Sequence, residues 1–154
     1  MRLREFLHPG LVVLDLEATE RDEVIRSLVG YLARQEVITE PDALVERLLE
    51  RERSHTTALD CGVAVPHAMV PGLDRSLVLV GIAPEGTAFG PPELDAVRVF
   101  FLVLSPPSAS GQHIKLLARI ARLACHPSFL ARLTRAGSPA TVLQEVERID
   151  SEHV

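Results

Sequence analysis

The chain has 154 residues, 47% hydrophobic and 24% charged, a balance that excludes disorder and gives one core enough material to bury. Its net charge of −5, the scatter of its 16 Lys and Arg residues, the lack of Trp and a single Tyr, Tyr31, exclude a nucleic-acid partner. The longest apolar runs, Leu77 to Ala83 and Val99 to Leu104, fall far short of the ~20 residues of a bilayer-spanning helix. No charged-then-apolar leader opens the chain, so we expect no direct membrane insertion, a cytoplasmic location and a single domain over residues 1–154. Cys61 and Cys125 show no CxxC or zinc-type spacing, which predicts two free thiols in a reducing compartment.

In chain order, Leu11 to Leu16 is a short apolar segment, and Thr19 with Asp22 three residues on offers a helix cap. Val24, Ile25, Leu28, Val29 and Leu32 then predict a helix over about 20–35. Pro41 suits a first helical turn, and Leu44, Val45, Leu48 and Leu49 predict a second helix over about 41–52. Gly62 to Pro66 is a short apolar piece ended by proline. Residues 77–83 and 97–104 are near-continuously apolar strands, a pattern that needs helices on both faces of a sheet. Pro84 to Leu94, with Gly86, Gly90, Pro91 and Pro92, is predicted as a surface loop. Ser110 can cap a helix over 111–124, with a stripe of Ile114, Leu117, Ala118, Ala121 and Ala124 widened by Leu116, Ile120 and Leu123, and so buried on more than one side. Shorter helices over about 127–135 and 139–149, parted by Gly137-Ser-Pro139, lead to a frayed end.

There is no P-loop, no GxGxxG after a strand, no HExxH and no GxSxG, which leaves histidine as the candidate chemistry. His67 follows Pro66, which holds the preceding backbone extended and presents the ring on a rigid support; position alone does not separate this from an ordinary loop histidine. His113 falls in a first helical turn, where unpaired N–H groups and the dipole favour an anion, or where a polar side chain simply faces water. Arg51 lies at the border of the second helix's apolar face and suits a carboxylate or phosphate partner. Glu52 points still nearer the centre of that face, so either the helix ends before it or its carboxylate is paired inside.

Arg51-Glu-Arg-Ser-His-Thr-Thr57, then Gly62-Val-Ala-Val-Pro-His67, then Gly111-Gln-His113 leading into Leu116 to Leu123, closely resemble the fructose/mannitol-type Enzyme IIA domain of the bacterial phosphoenolpyruvate-dependent phosphotransferase system. That domain type includes nitrogen-regulatory phosphocarriers, and the resemblance covers about residues 5–150. It implies an α/β sandwich, a mixed parallel and antiparallel sheet flanked by helices on both faces. It also implies that His67 accepts a phosphoryl group on Nε2 from the histidine carrier HPr, that His113 hydrogen-bonds that group, that Arg51 holds the site and that Thr57 supports it. The chain departs from the family in Ala68 after the phosphoacceptor position, and in Ala58 and Asp60 before the strand; a small residue at 68 still lets a partner approach. Cys61 reads as a small buried hydrophobe, His55 has no assignable role, and His8, His126 and His153 read as turn and tail residues.

The chemistry agrees with that resemblance, because an imidazole with a pKa near ~6.5 is largely neutral at cytosolic pH and can attack phosphorus without a separate strong base. Phosphoryl transfer needs positioning and charge stabilisation, so no metal or cofactor is called for. The implied downstream partner is an Enzyme IIB in sugar uptake, or, for a nitrogen-regulatory protein, a target bound according to the state of His67. The lack of an attached Enzyme IIB or membrane segment leans towards the second. A metal or purely structural role for His67 and His113 lacks a third ligand set of recognisable spacing. Met69, Val70 and Leu73 are expected on an apolar docking surface around His67.

Overall fold

The long apolar strands set the plan of the computed structural model, which describes residues 1–152. Strand β4 (Leu77–Thr87) and strand β5 (Val97–Ser105) form an antiparallel pair at the centre of a mixed sheet. Strand β1 (Val12–Val13) runs parallel to β4 on one side. Strands β2 (Val63–Ala64) and β3 (His67–Met69) run parallel to β5 on the other, one after the other along its length. Pro66 parts them, since it has no N–H to give to a ladder, although its carbonyl still accepts from Val103 N at 2.9 Å.

Both faces of the sheet are covered, as the unbroken apolar runs require. Alternate residues Leu79, Phe100, Leu102 and Leu104 pack under helix α1 (Arg21–Arg34) and helix α2 (Pro41–Ser54). Their neighbours Val78, Val80, Phe101 and Val103 pack under helix α3 (Ser110–Ala124), helix α4 (Phe129–Thr134) and helix α5 (Pro139–Glu152). The sandwich with helices on both faces is therefore present.

Several local expectations give way to tertiary structure. Thr19 does not cap α1, because its carbonyl accepts from Ala88 N and Glu20 bridges Ala88 in extended form. The segment 84–87 is strand and not loop: Pro84 and Gly86 break the β4–β5 register between Ile82 and Thr87 without ending the extended backbone. Ser110 is the first residue of α3 and makes no capping bond, a 3₁₀ turn at Pro107–Ala109 having led into the helix. Only one face of α3 is buried, through His113, Leu116, Ile120, Leu123 and Ala124, while Ile114 stands 67% exposed. Over the described residues the last turn of α5 is anchored, and residues 153 and 154, within the end expected to fray, lie outside them. Asp150 is buried, accepts from Leu3 N at 2.8 Å and pairs with Arg119 of α3. His153 lies outside the described residues.

The thiol reading is also overturned. Cys61 and Cys125 form a disulfide, with Cα atoms 5.5 Å apart, because the end of α3 returns beside the start of β2. Cys125 is exposed, and cysteine usage no longer argues for a reducing compartment. Next to Cys61, Gly62 has a φ of +81°, a left-handed conformation that favours glycine where the chain enters β2.

Candidate functional site

His67 is the first residue of β3, in register with Val103, and half-buried. Its Nδ1 lies 2.8 Å from the carbonyl oxygen of Val65. A carbonyl only accepts, so Nδ1 carries the proton and Nε2 carries the lone pair. The peptide that precedes the site thus sets the ring's tautomer and limits its rotation.

His113 reaches the same place from α3, which covers the face of the sheet that Val103, the register partner of His67, also presents. It sits in the first turn of α3, 6% exposed, so it does not merely face water. The His67 and His113 ring centroids are 5.6 Å apart, with the planes inclined at 57°. Arg51, in the last turn of α2, lines the same cleft of about 810 Å³. It is exposed and makes no ion pair among the described residues, so its guanidinium is free for an anion. The positive end of the α3 dipole adds to this field.

Burial pushes the His67 imidazole below its ordinary pKa; the Val65 hydrogen bond partly offsets this and the Arg51 charge adds to it. Burial also lowers His113, reinforced by the charges of His67 and then Arg51. Both rings are therefore neutral near pH 7, one with an available lone pair and both in a cationic setting. That combination suits nucleophilic attack on an anionic centre.

Thr57 does not line this cleft. Its backbone N–H and its hydroxyl both donate to the buried carboxyl of Glu52, which settles the position of Glu52 as paired inside. The Thr57 carbonyl in turn accepts from Val65 N at 3.1 Å. A continuous chain of contacts therefore runs from the end of α2 through Thr57 and Val65 to the His67 ring.

Other residues of the cleft were not singled out in the sequence. Arg47, one turn before Arg51, donates from Nη1 to the Met69 carbonyl at 2.7 Å and ties α2 to β3. His55 also lines the cleft. Of the three expected docking residues, Met69 is at the cleft, whereas Val70 and Leu73 pack against the cluster under α1 and α2. Ile114 and Leu117 bring apolar surface from α3 instead. Among the described residues no three His, Cys, Asp or Glu side chains group as metal ligands. No helix among them is long and apolar enough to cross a membrane.

The fold is that of an Enzyme IIA. The chain belongs to the family of the phosphoenolpyruvate-dependent sugar phosphotransferase system, EIIA 2, whose model it matches over residues 5–149. It is 30% identical over 146 residues to the nitrogen regulatory protein of Bradyrhizobium diazoefficiens, a match that spans 95% of this chain and 94% of that protein. Among solved structures it is similar to the nitrogen regulatory protein IIA-Ntr of Neisseria meningitidis, with a TM-score of 0.83 and 26% identity over 92% of this chain and 97% of the other. It is also similar to the mannitol Enzyme IIA of Escherichia coli in its complex with phosphorylated Enzyme IIB, with a TM-score of 0.75 and 26% identity over 91% and 96% of the two chains.

Proposed function

We propose that the protein is a phosphocarrier that takes a phosphoryl group on His67 from an HPr-type carrier and passes it to an Enzyme IIB. The observation that carries this reading is the His67 Nδ1–H bond to the Val65 carbonyl, which leaves a neutral Nε2 lone pair at a cleft shared with His113 and Arg51. In the step, the Nε2 lone pair forms the new N–P bond as the N–P bond of the donor phosphohistidine breaks, its electron pair returning to the donor imidazole. The proton stays on Nδ1, hydrogen-bonded to the Val65 carbonyl, throughout, so no external base takes part. Arg51, His113 and the start of α3 stabilise the spread negative charge. Thr57 supports the site by holding the strand and not by touching phosphate. Met69, Ile114 and Leu117 offer a carrier protein an apolar rim, and residues 1–154 act as one such cytoplasmic unit.

A second reading, in which the phosphorylation state of His67 controls binding to a target protein, is favoured by the similarity to nitrogen regulatory proteins. Incubating the phosphorylated protein with a purified Enzyme IIB separates the two. Label moving to Enzyme IIB supports the transport relay; label retained, with a partner bound in only one phosphorylation state, supports the regulator. A protein that accepts no label in the presence of an active phosphorylated carrier contradicts both.

A further inference from the structure

Two buried hydroxyls stand behind His113 with no part in the scheme above. Ser105, which ends β5 after its apolar run, is fully buried, and Ser76, just before β4, is 2% exposed. Ser76 Oγ donates to Ser105 Oγ at 2.8 Å, and Ser105 Oγ lies 2.7 Å from His113 Nδ1. A hydroxyl has one proton to give. Ser76 is the donor of its pair, and the only other side-chain partner of the fully buried Ser105 hydroxyl among the described residues is His113 Nδ1, so the Ser105 proton is directed there, Nδ1 accepts and the ring proton resides on Nε2. We infer that Ser105, oriented by Ser76, is a positioning residue that holds neutral His113 as its Nε2–H tautomer, ready to donate a hydrogen bond to a phosphoryl oxygen at the cleft.

The two rings are thereby set in opposite states by what their Nδ1 atoms meet. A carbonyl at 2.8 Å makes His67 a donor at Nδ1 and a nucleophile at Nε2; a hydroxyl at 2.7 Å makes His113 an acceptor at Nδ1 and a donor at Nε2. His113 is kept neutral by its burial and by the nearby His67 and Arg51, so it has a single N–H and the tautomer decides where that donor points. Without the serine pair the proton would be shared between two nitrogens and the donor would be present only part of the time. The phosphoryl ligand rests on the phosphocarrier reading, whereas the tautomer does not.

Long-range proton–nitrogen correlation spectra of the ¹⁵N-labelled, unphosphorylated protein read the tautomer directly, with His113→Gln identifying the His113 signals. Wild type is expected to show Nε2 protonated and Nδ1 unprotonated, and Ser105→Ala a mixture of the two tautomers. Ser105→Thr, which keeps the hydroxyl, restores the single form. Phosphoryl uptake by Ser105→Ala should slow by roughly three- to tenfold, the worth of one hydrogen bond, and recover in Ser105→Thr. A wild-type spectrum with Nδ1 protonated overturns the proposal whether or not any variant folds, as does a Ser105→Ala spectrum unchanged from wild type. A protein with the expected tautomers that accepts no phosphoryl group contradicts the phosphocarrier reading and leaves this inference standing.

Discussion

His67 and His113 both have pKa values held below the ordinary 6.5, so at the residue scale the direction of their pH dependence is set. The rate of phosphoryl uptake should be flat above that value and decline as the pH falls through the folded-state pKa of His67, because protonation removes the lone pair. Stability moves the same way: the unfolded chain binds more protons below about pH 6.5, so the histidines' contribution is present above it and is lost as the pH falls through the folded values. Denaturant unfolding of His67→Gln should show a smaller loss between pH 7.5 and 5 than wild type, and identical losses would contradict this account. Arg51→Lys should slow uptake by at least tenfold, since a point charge does not replace a planar fork, yet change stability by no more than about 0.5 kcal/mol because Arg51 is exposed and unpaired. Rates and unfolding curves of the one variant check both halves. The motif order brought His67, His113 and Arg51 to notice together, and all three line one cleft. Ser105 and Arg47 were not legible, because their partners come from across a sheet or between elements; the one available signal was a serine closing the apolar run Val99 to Leu104.

Thr57 marks the difference between contact and support at the element scale. Its hydroxyl faces Glu52, and its carbonyl holds Val65 behind His67. Burial raises the Glu52 pKa, while the two Thr57 hydrogen bonds oppose the shift. Thr57→Val removes one donor from a buried carboxyl and should destabilise the fold by about 1–3 kcal/mol, with a smaller effect on phosphoryl uptake once the variant is folded. A loss of uptake with full stability would instead assign Thr57 to the phosphate. Unbroken apolar runs located both long strands, because burial on both faces removes alternation, and helical periodicity located every long helix. It misjudged α3, where two adjacent apolar stripes competed and His113 lay on the buried one; only packing against β5 decided between them. It also read residues 84–87 as loop, since proline and glycine mark a broken ladder as readily as a turn.

Closure of the whole molecule depends on contacts that spacing does not encode. The Cys61–Cys125 disulfide joins the entrance of β2, which leads to His67, to the far end of the helix that carries His113. Chain separation of 64 residues gives no hint that these cysteines meet, nor does Asp150 show in sequence that it will bind Leu3 and Arg119. By loop-closure entropy the disulfide contributes about 4 kcal/mol. Reduction should therefore lower the thermal midpoint by roughly ten degrees, and a midpoint indifferent to reductant would show the crosslink to be idle. The central claim is that His67 is the phosphoryl acceptor, and intact mass spectrometry tests it most directly. The purified protein and its His67→Ala variant would each be measured after incubation with Enzyme I, HPr and phosphoenolpyruvate. The account predicts one acid-labile phosphoryl group on wild type and none on the variant; equal phosphorylation of both, or of neither with the carrier active, would contradict it.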